Sequence, residues 1–229
     1  MVGRHGLRII FFVFCNLHCV FCQNYTISQR NEGSTVDGEE LAGLMLSLQA
    51  RGYHNINLFS LTHVVSFILK TLPLPVNKGL FLSLVYNTSG YDSVKTLNLL
   101  DGIVDIYMLD MKYADEKTAE RLSGIKNYPR MNQAAVNEMY RQVGDLQLDG
   151  QKVAQRGLLV CHLVLPERPA GTREVVWFLA WEVLTDTYLN IMAQYHPYCQ
   201  TYEISSLARM VNESELSEVI ALARQQGLS

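Results

Sequence analysis

The chain has little charge of either sign and no strong excess of one. Asp, Glu, Lys and Arg together make up 18% of its 229 residues, the net charge is -3 and the pI is about 6.1. This balance offers no general basic face, so no nucleic-acid partner is expected. No apolar run reaches membrane-spanning length, and Ile9-Ile10-Phe11-Phe12-Val13-Phe14 is far too short, so no membrane association is expected. No small-residue cleavage site follows that run before the cysteines, which argues against a secretory signal. Internal repeats, low-complexity tracts and a domain linker are also missing, and a single domain over residues 1–229 is expected. The five cysteines are odd in number, with three clustered, which fits a reducing cytoplasm better than a disulfide framework.

Hydrophobic residues make up 48% of the chain, enough for one sizeable core. Six apolar segments read as strands: residues 8–14, 55–59, 80–86, 104–109, 158–165 and 188–194. Helical periodicity lies between them. Asp37 offers an N-cap with Glu40 three residues on, ahead of Leu41, Leu44, Met45 and Leu48, and Gly52 ends that helix. Further helices are expected over 64–69, stopped by Pro73 and Pro75, and over 94–100, 115–122, 132–143 and 175–184. A last one, capped by Asn212, runs over about 212–226. Residues 145–156, polar around Gly150, read as a small hairpin or loop. Alternating strands and helices predict an α/β fold of parallel βαβ units, either an open doubly wound sheet or a partial barrel. The first strand-to-helix loop has no G-x-G-x-x-G, which argues against a dinucleotide-binding sheet.

That loop instead reads Phe14-Cys15-Asn16-Leu17-His18-Cys19-Val20-Phe21-Cys22-Gln23-Asn24, with cysteines at C-x3-C-x2-C. Three thiolates can hold three irons of a [4Fe–4S] cube and leave the fourth iron open for a small molecule. The alternative is a zinc knot with His18 as fourth ligand. The spacing favours the cluster, because His18 adjoins Cys19 while zinc sites usually draw two separated ligand pairs.

In a parallel barrel the C-terminal strand ends line the site. Here those ends carry Ser60-Leu61-Thr62-His63, Asn87-Thr88-Ser89-Gly90-Tyr91, Asp110-Met111-Lys112, His162 and Gln194-Tyr195-His196. Hydroxyls, amides, an acid, a cation and rings together suit a zwitterionic, nucleoside-bearing ligand. Each also has a plainer explanation: an ion pair for Asp110 and Lys112, a turn at 87–90, a helix cap for His63, a satisfied buried histidine for His162, loop packing for Tyr195 and His196. Cys161 reads as a buried small hydrophobe and Cys199 carries no assigned role. Trp177 and Trp181, one helical turn apart, read as core or interface.

With both sets of residues in view, the chain resembles the radical S-adenosylmethionine (radical SAM) superfamily. From about Ile9 to Tyr195 it is most similar to the pyruvate formate-lyase activating-enzyme-like branch. Cys22-Gln23-Asn24 resembles the Cys-x-Asn closing that branch's cluster loop, Asn87-Thr88-Ser89-Gly90-Tyr91 its Asp-Thr-Asn-Gly-Phe, and Asp110-Met111-Lys112 its Asp-Leu-Lys. Leu163-Val164-Leu165-Pro166 and Tyr195-His196 are similar to its Val-Val-Val-Pro and Tyr-His.

The resemblance implies a partial (β/α)6 TIM-like barrel of parallel strands with outer helices. It implies a [4Fe–4S] cluster on Cys15, Cys19 and Cys22, with SAM on the open iron and an electron donor of the flavodoxin or ferredoxin kind. The implied product is a 5′-deoxyadenosyl radical for hydrogen abstraction, in that branch from a glycyl-radical protein. By resemblance the SAM contacts fall on Phe21, Asn24, Ser60, Thr62, His63, Asn87, Ser89, Asp110, Lys112, His162, Tyr195 and His196, with no catalytic residue beyond the cluster. In that branch acids matching Asn87 and Asp110 hold a monovalent cation; Asn87 lacks one of those charges. Phe14 stands where the branch usually has glycine, which points to strain before the cysteines, and Cys161 stands where it often has arginine. About eight residues precede the first strand, fewer than in that branch, which leaves open a truncated N-terminus. Two alternatives stand beside the enzyme: a degenerate cluster- and SAM-binding protein without turnover, and a zinc-stabilised binding module.

Overall fold

Seven segments form one sheet: β1 (Ile9–Phe11), β2 (Asn55–Phe59), β3 (Ser83–Thr88), β4 (Ile106–Asp110), β5 (Gln147–Leu148), β6 (Ala154–Leu163) and β7 (Tyr188–Met192). The computed structural model describes residues 8–183 and 188–228, so Leu184 and the residues ahead of Arg8 lie outside it. Six strands are parallel in the order β1-β2-β3-β4-β6-β7, with registers such as Phe11 opposite Phe59, Phe59 opposite Asn87, and Asp110 opposite Cys161. Among the described residues no pairing joins β1 to β7, so the barrel is partial. β5 pairs antiparallel with the start of β6, the small hairpin expected around Gly150.

The helices are α1 (Tyr25–Arg30), α2 (Gly38–Ala50), α3 (Val65–Thr71), α4 (Pro73–Asn77), α5 (Val94–Leu97), α6 (Glu116–Ser123), α7 (Tyr128–Val143), α8 (Thr172–Phe178) and α9 (Glu213–Gln225). The Asp37–Glu40 capping box opens α2, and Asn212 with Glu215 opens α9 in the same way. α3 ends at Thr71, just ahead of Pro73 as expected, and Pro73 itself opens α4, where its missing N–H costs nothing. α7 begins four residues earlier than its apolar period suggests, with Pro129 in its first turn. α8 runs on into a turn of π-helix, Leu179–Val183. No helix among the described residues is long and apolar enough to cross a membrane.

Strand alternation divides the interior into two. Ile56, Leu58, Leu84, Tyr86, Tyr107, Leu109, Leu158 and Val160 pack with helix residues such as Leu41, Met45, Leu97 and Met139 into the main core. Val85, Ile106, Met108 and Ala154 form a separate inner cluster. Trp177 and Trp181 are exposed rather than buried in the core. Cys161 is buried, as expected.

Candidate functional site

The cysteine loop follows β1, which is cut short to three residues because the chain turns at Phe14, φ +65°. Backbone bonds then pin the loop from several sides. Phe14 N–H donates to the Ile27 carbonyl on α1 (3.2 Å), and Gln200 N–H donates to the Val20 carbonyl (3.0 Å). The last carbonyls of α6 have no partner within that helix, and the loop supplies it: His18 N–H donates to Ser123 (3.0 Å) and Val20 N–H to Leu122 (2.9 Å). Asn16 Nδ2 donates to the Tyr91 carbonyl after β3 (2.8 Å). Leu17, Cys19 and Phe21 face inward and bury themselves against Tyr113, Leu122, Tyr128 and Tyr195, a second small core that fixes the loop's shape.

Pinned this way, Cys15, Cys19 and Cys22 line one cavity of about 180 Å³, together with Phe21, Asn24, Ser60, Ser89, Asp110 and Lys112. Nine of the residues singled out in the sequence therefore share one wall. Lys112 Nζ donates to Asp110 Oδ2, an ion pair with little exposure on either side. Burial opposes the Lys112 charge, but the Asp110 carboxylate and the Cys19 sulfur outweigh it and hold the ammonium well above its ordinary pKa. Burial pushes the Cys19 thiol up to about 11, against the pull of Lys112 and a hydrogen bond from Ser123. A metal ion must displace that proton to bind there.

The donor set fits a cluster with an open iron. Three soft thiols face one space, and neither Cys161 nor Cys199 lines it. Among the described residues no three His, Cys, Asp or Glu side chains gather as a single ion requires. A cube spreads its thiolates over separate irons and needs no such convergence. His18, the fourth ligand of the zinc alternative, is exposed and does not line the cavity.

The remaining candidates lie off this wall. Thr62 Oγ1 donates to Asp92 Oδ1 (2.8 Å), and His63 is exposed in a 3-10 turn, Thr62–Val64. Asn87 is buried, and its carbonyl accepts from Ser60 N–H (3.1 Å). His162 is corrected to a satisfied buried histidine: Nδ1 meets the Met111 carbonyl at 2.6 Å and Nε2 meets Thr172 Oγ1 at 2.8 Å. Alternation on β6 turns it away from the cavity while Leu163 faces in. Burial lowers its pKa and favours the neutral ring. Tyr195 buttresses Phe21 edge-on at 6.0 Å and donates to the Leu207 carbonyl (2.7 Å). His196 is exposed.

Leu17, Gln23, Ser28, Phe59, Leu163, Met192 and Gln194 also line the cavity and were not singled out as contacts. β7 ends at Met192, two residues before the sequence suggests, so the inward face carries Met192 and Gln194 instead of Tyr195 and His196. Period-two counting along the strand contains that signal. Ser28 sits on α1, a six-residue helix too short for its periodicity to be read.

No protein-family model matches the chain. An uncharacterized protein of Methanocaldococcus jannaschii is 28% identical over 96% of this chain, which spans 62% of that protein's length. Among solved structures, a radical SAM methyltransferase from Sphaerobacter thermophilus superposes with a TM-score of 0.62 at 12% identity, covering 96% of this chain and 63% of that one. The chain has the fold of a radical SAM enzyme. Streptococcus suis SuiB, solved with S-adenosylmethionine bound, gives a TM-score of 0.60 at 10% identity over 95% of this chain and 47% of its own. The strand ends that make the cavity are thus the C-terminal ends of a partial parallel barrel, the side on which such folds carry their ligands.

Proposed function

We propose that this chain is a radical SAM enzyme that holds a [4Fe–4S] cluster on Cys15, Cys19 and Cys22 and binds S-adenosylmethionine beside it. The observation that carries this reading is the shared cavity: three thiols from one loop face the same space as an ion pair, hydroxyls and an aromatic ring. Such a cluster, when bound, supplies the electron that splits the C5′–S bond of the sulfonium, giving methionine and a 5′-deoxyadenosyl radical.

The chain's own residues would hold and orient the cofactor. Lys112 offers its charge to the methionine carboxylate, with Asp110 keeping it protonated and aimed. Ser60 and Ser89 offer hydroxyls at the ends of β2 and β3, and Phe21, backed by Tyr113 and Tyr195, offers an apolar wall for the adenine. Leu17, Phe59, Leu163 and Met192 exclude water, which protects a carbon radical from quenching. Thr62, His63, Asn87, Tyr195 and His196 act at most from outside the lining. A glycyl-radical protein substrate belongs to this reading through the motifs at Asn87–Tyr91 and Asp110–Lys112, an electron donor of the flavodoxin or ferredoxin kind through the cluster's need for an electron, and a cytoplasmic setting through the odd, clustered cysteines.

Anaerobic reconstitution with iron and sulfide, followed by dithionite and SAM, tests the proposal. Formation of 5′-deoxyadenosine is expected, and Cys15→Ala, Cys19→Ala or Cys22→Ala should each lose the cluster absorbance. A full cluster without 5′-deoxyadenosine would favour the protein without turnover, a reading that the strained Phe14 motivates. A zinc-only metal content would favour the binding module.

A further inference from the structure

Each of the three loop sulfurs has one serine hydroxyl against it, and the three serines come from three different elements. Ser123 Oγ, at the end of α6, donates to Cys19 Sγ at 2.9 Å. Ser28 Oγ, on α1, lies 3.1 Å from Cys22 Sγ. Ser89 Oγ, after β3, lies 3.8 Å from Cys15 Sγ and also lines the cavity. Ser89 and Ser123 lie 74 and 104 residues from their sulfurs and are brought there by the fold, whereas Ser28 is six residues from Cys22 and reaches it through the turn into α1.

We propose that Ser123 and Ser28 are positioning residues that donate hydrogen bonds to the cluster-ligating sulfurs and thereby set the cluster's reduction potential. The inference rests on the cluster reading above. A metal-bound thiolate carries no proton, so at both contacts the serine must donate. Such a bond draws negative charge off the sulfur and favours the reduced cluster more than the oxidised one, which raises the potential. The Ser123 contact is the stronger of the two. Ser123 is 1% exposed, and the Tyr113 hydroxyl lies 2.7 Å from its oxygen on the other side. With the serine proton committed to Cys19, Tyr113 donates to Ser123, and the chain of two bonds polarises in one direction away from water. Ser28 is buried to a similar degree. Without the two hydroxyls the reduced cluster would be harder to reach for any given donor.

The test is an anaerobic redox titration of the reconstituted full-length protein, followed by the electron paramagnetic resonance signal of the reduced cluster. Ser123→Ala and Ser28→Ala should each keep the iron and sulfide content and move the midpoint to more negative potential. For Ser123→Ala the reduced-to-oxidised ratio at fixed potential should fall about tenfold, equal to about 59 mV for one electron. Ser123→Thr should restore the midpoint, which a merely structural role of that side chain would not do. If Ser123→Ala does not fold, because the Tyr113 hydroxyl loses its partner, Ser28→Ala carries the same test. Midpoints equal to that of the unaltered protein on a full cluster would overturn the serine role and leave the cluster reading standing. An unaltered protein that takes up no cluster would overturn that reading, and this inference with it.

Discussion

Phe14 holds φ at +65°, a region that L side chains avoid and glycine adopts freely, and it does so with half its surface exposed. The left-handed backbone costs about 1–2 kcal/mol. Half-burial of the ring returns roughly 1 kcal/mol, and glycine would add about 0.5–1 kcal/mol of freedom to the unfolded chain. These terms nearly cancel. Phe14→Gly should therefore change stability by less than about 1 kcal/mol, where truncating a core phenylalanine costs about 3–5 kcal/mol. Urea unfolding checks this, and a loss above about 2 kcal/mol would mean that the ring packs as a core residue. The oddity of Phe14 was legible through the resemblance alone, because the branch it resembles usually has glycine there. The sequence does not carry the role of His162. A histidine at a strand end looks the same whether it faces in or out, and only the count from Cys161 and Leu163 decides it.

At the scale of elements, the ends of β2 and β3 are tied together by Asp92. Fully buried, it accepts hydrogen bonds from Thr62 (2.8 Å), Tyr86 (2.7 Å) and Thr88 (2.6 Å), and among the described residues no cation hydrogen-bonds to it. Burial raises its pKa, with the three hydroxyls pulling the other way. A carboxyl whose folded pKa lies above its unfolded one stabilises the fold below the unfolded pKa, and that stability is lost as pH rises through the folded pKa. Asp92→Asn removes this titration. The stability of the variant relative to the parent should therefore rise as the pH climbs above the ordinary aspartate range of about 4. Equal pH slopes in denaturant unfolding would contradict the role of Asp92 as a buried, titrating tie. Tyr86 and Thr88 lie only six and four residues before Asp92, but no local pattern marks them as its partners, and Thr62, thirty residues away, reaches it only through the fold. The six parallel strands, the Asp37–Glu40 capping box and the Asn212 cap were legible, because continuous apolar runs and capping residues act locally. α1 and the true end of β7 were not, being too short or too apolar at their margins to show a period.

Across the whole molecule, six parallel strands in chain order bring one loop and the ends of β2, β3, β4, β6 and β7 onto a single cavity. The cysteines, Ser60, Ser89, Asp110 and Lys112 could be assigned to that wall from the sequence, since strand ends in such a barrel converge whatever their side chains. Which neighbours complete it could not, since that depends on where each strand stops. The central claim is that SAM binds at the open iron of a three-cysteine cluster in this cavity. The most direct measurement is the electron paramagnetic resonance spectrum of the reduced, reconstituted protein with and without SAM. Binding at the open iron predicts a clear change in the g values on adding SAM. A spectrum unchanged at saturating SAM, on a fully assembled cluster, would contradict the claim.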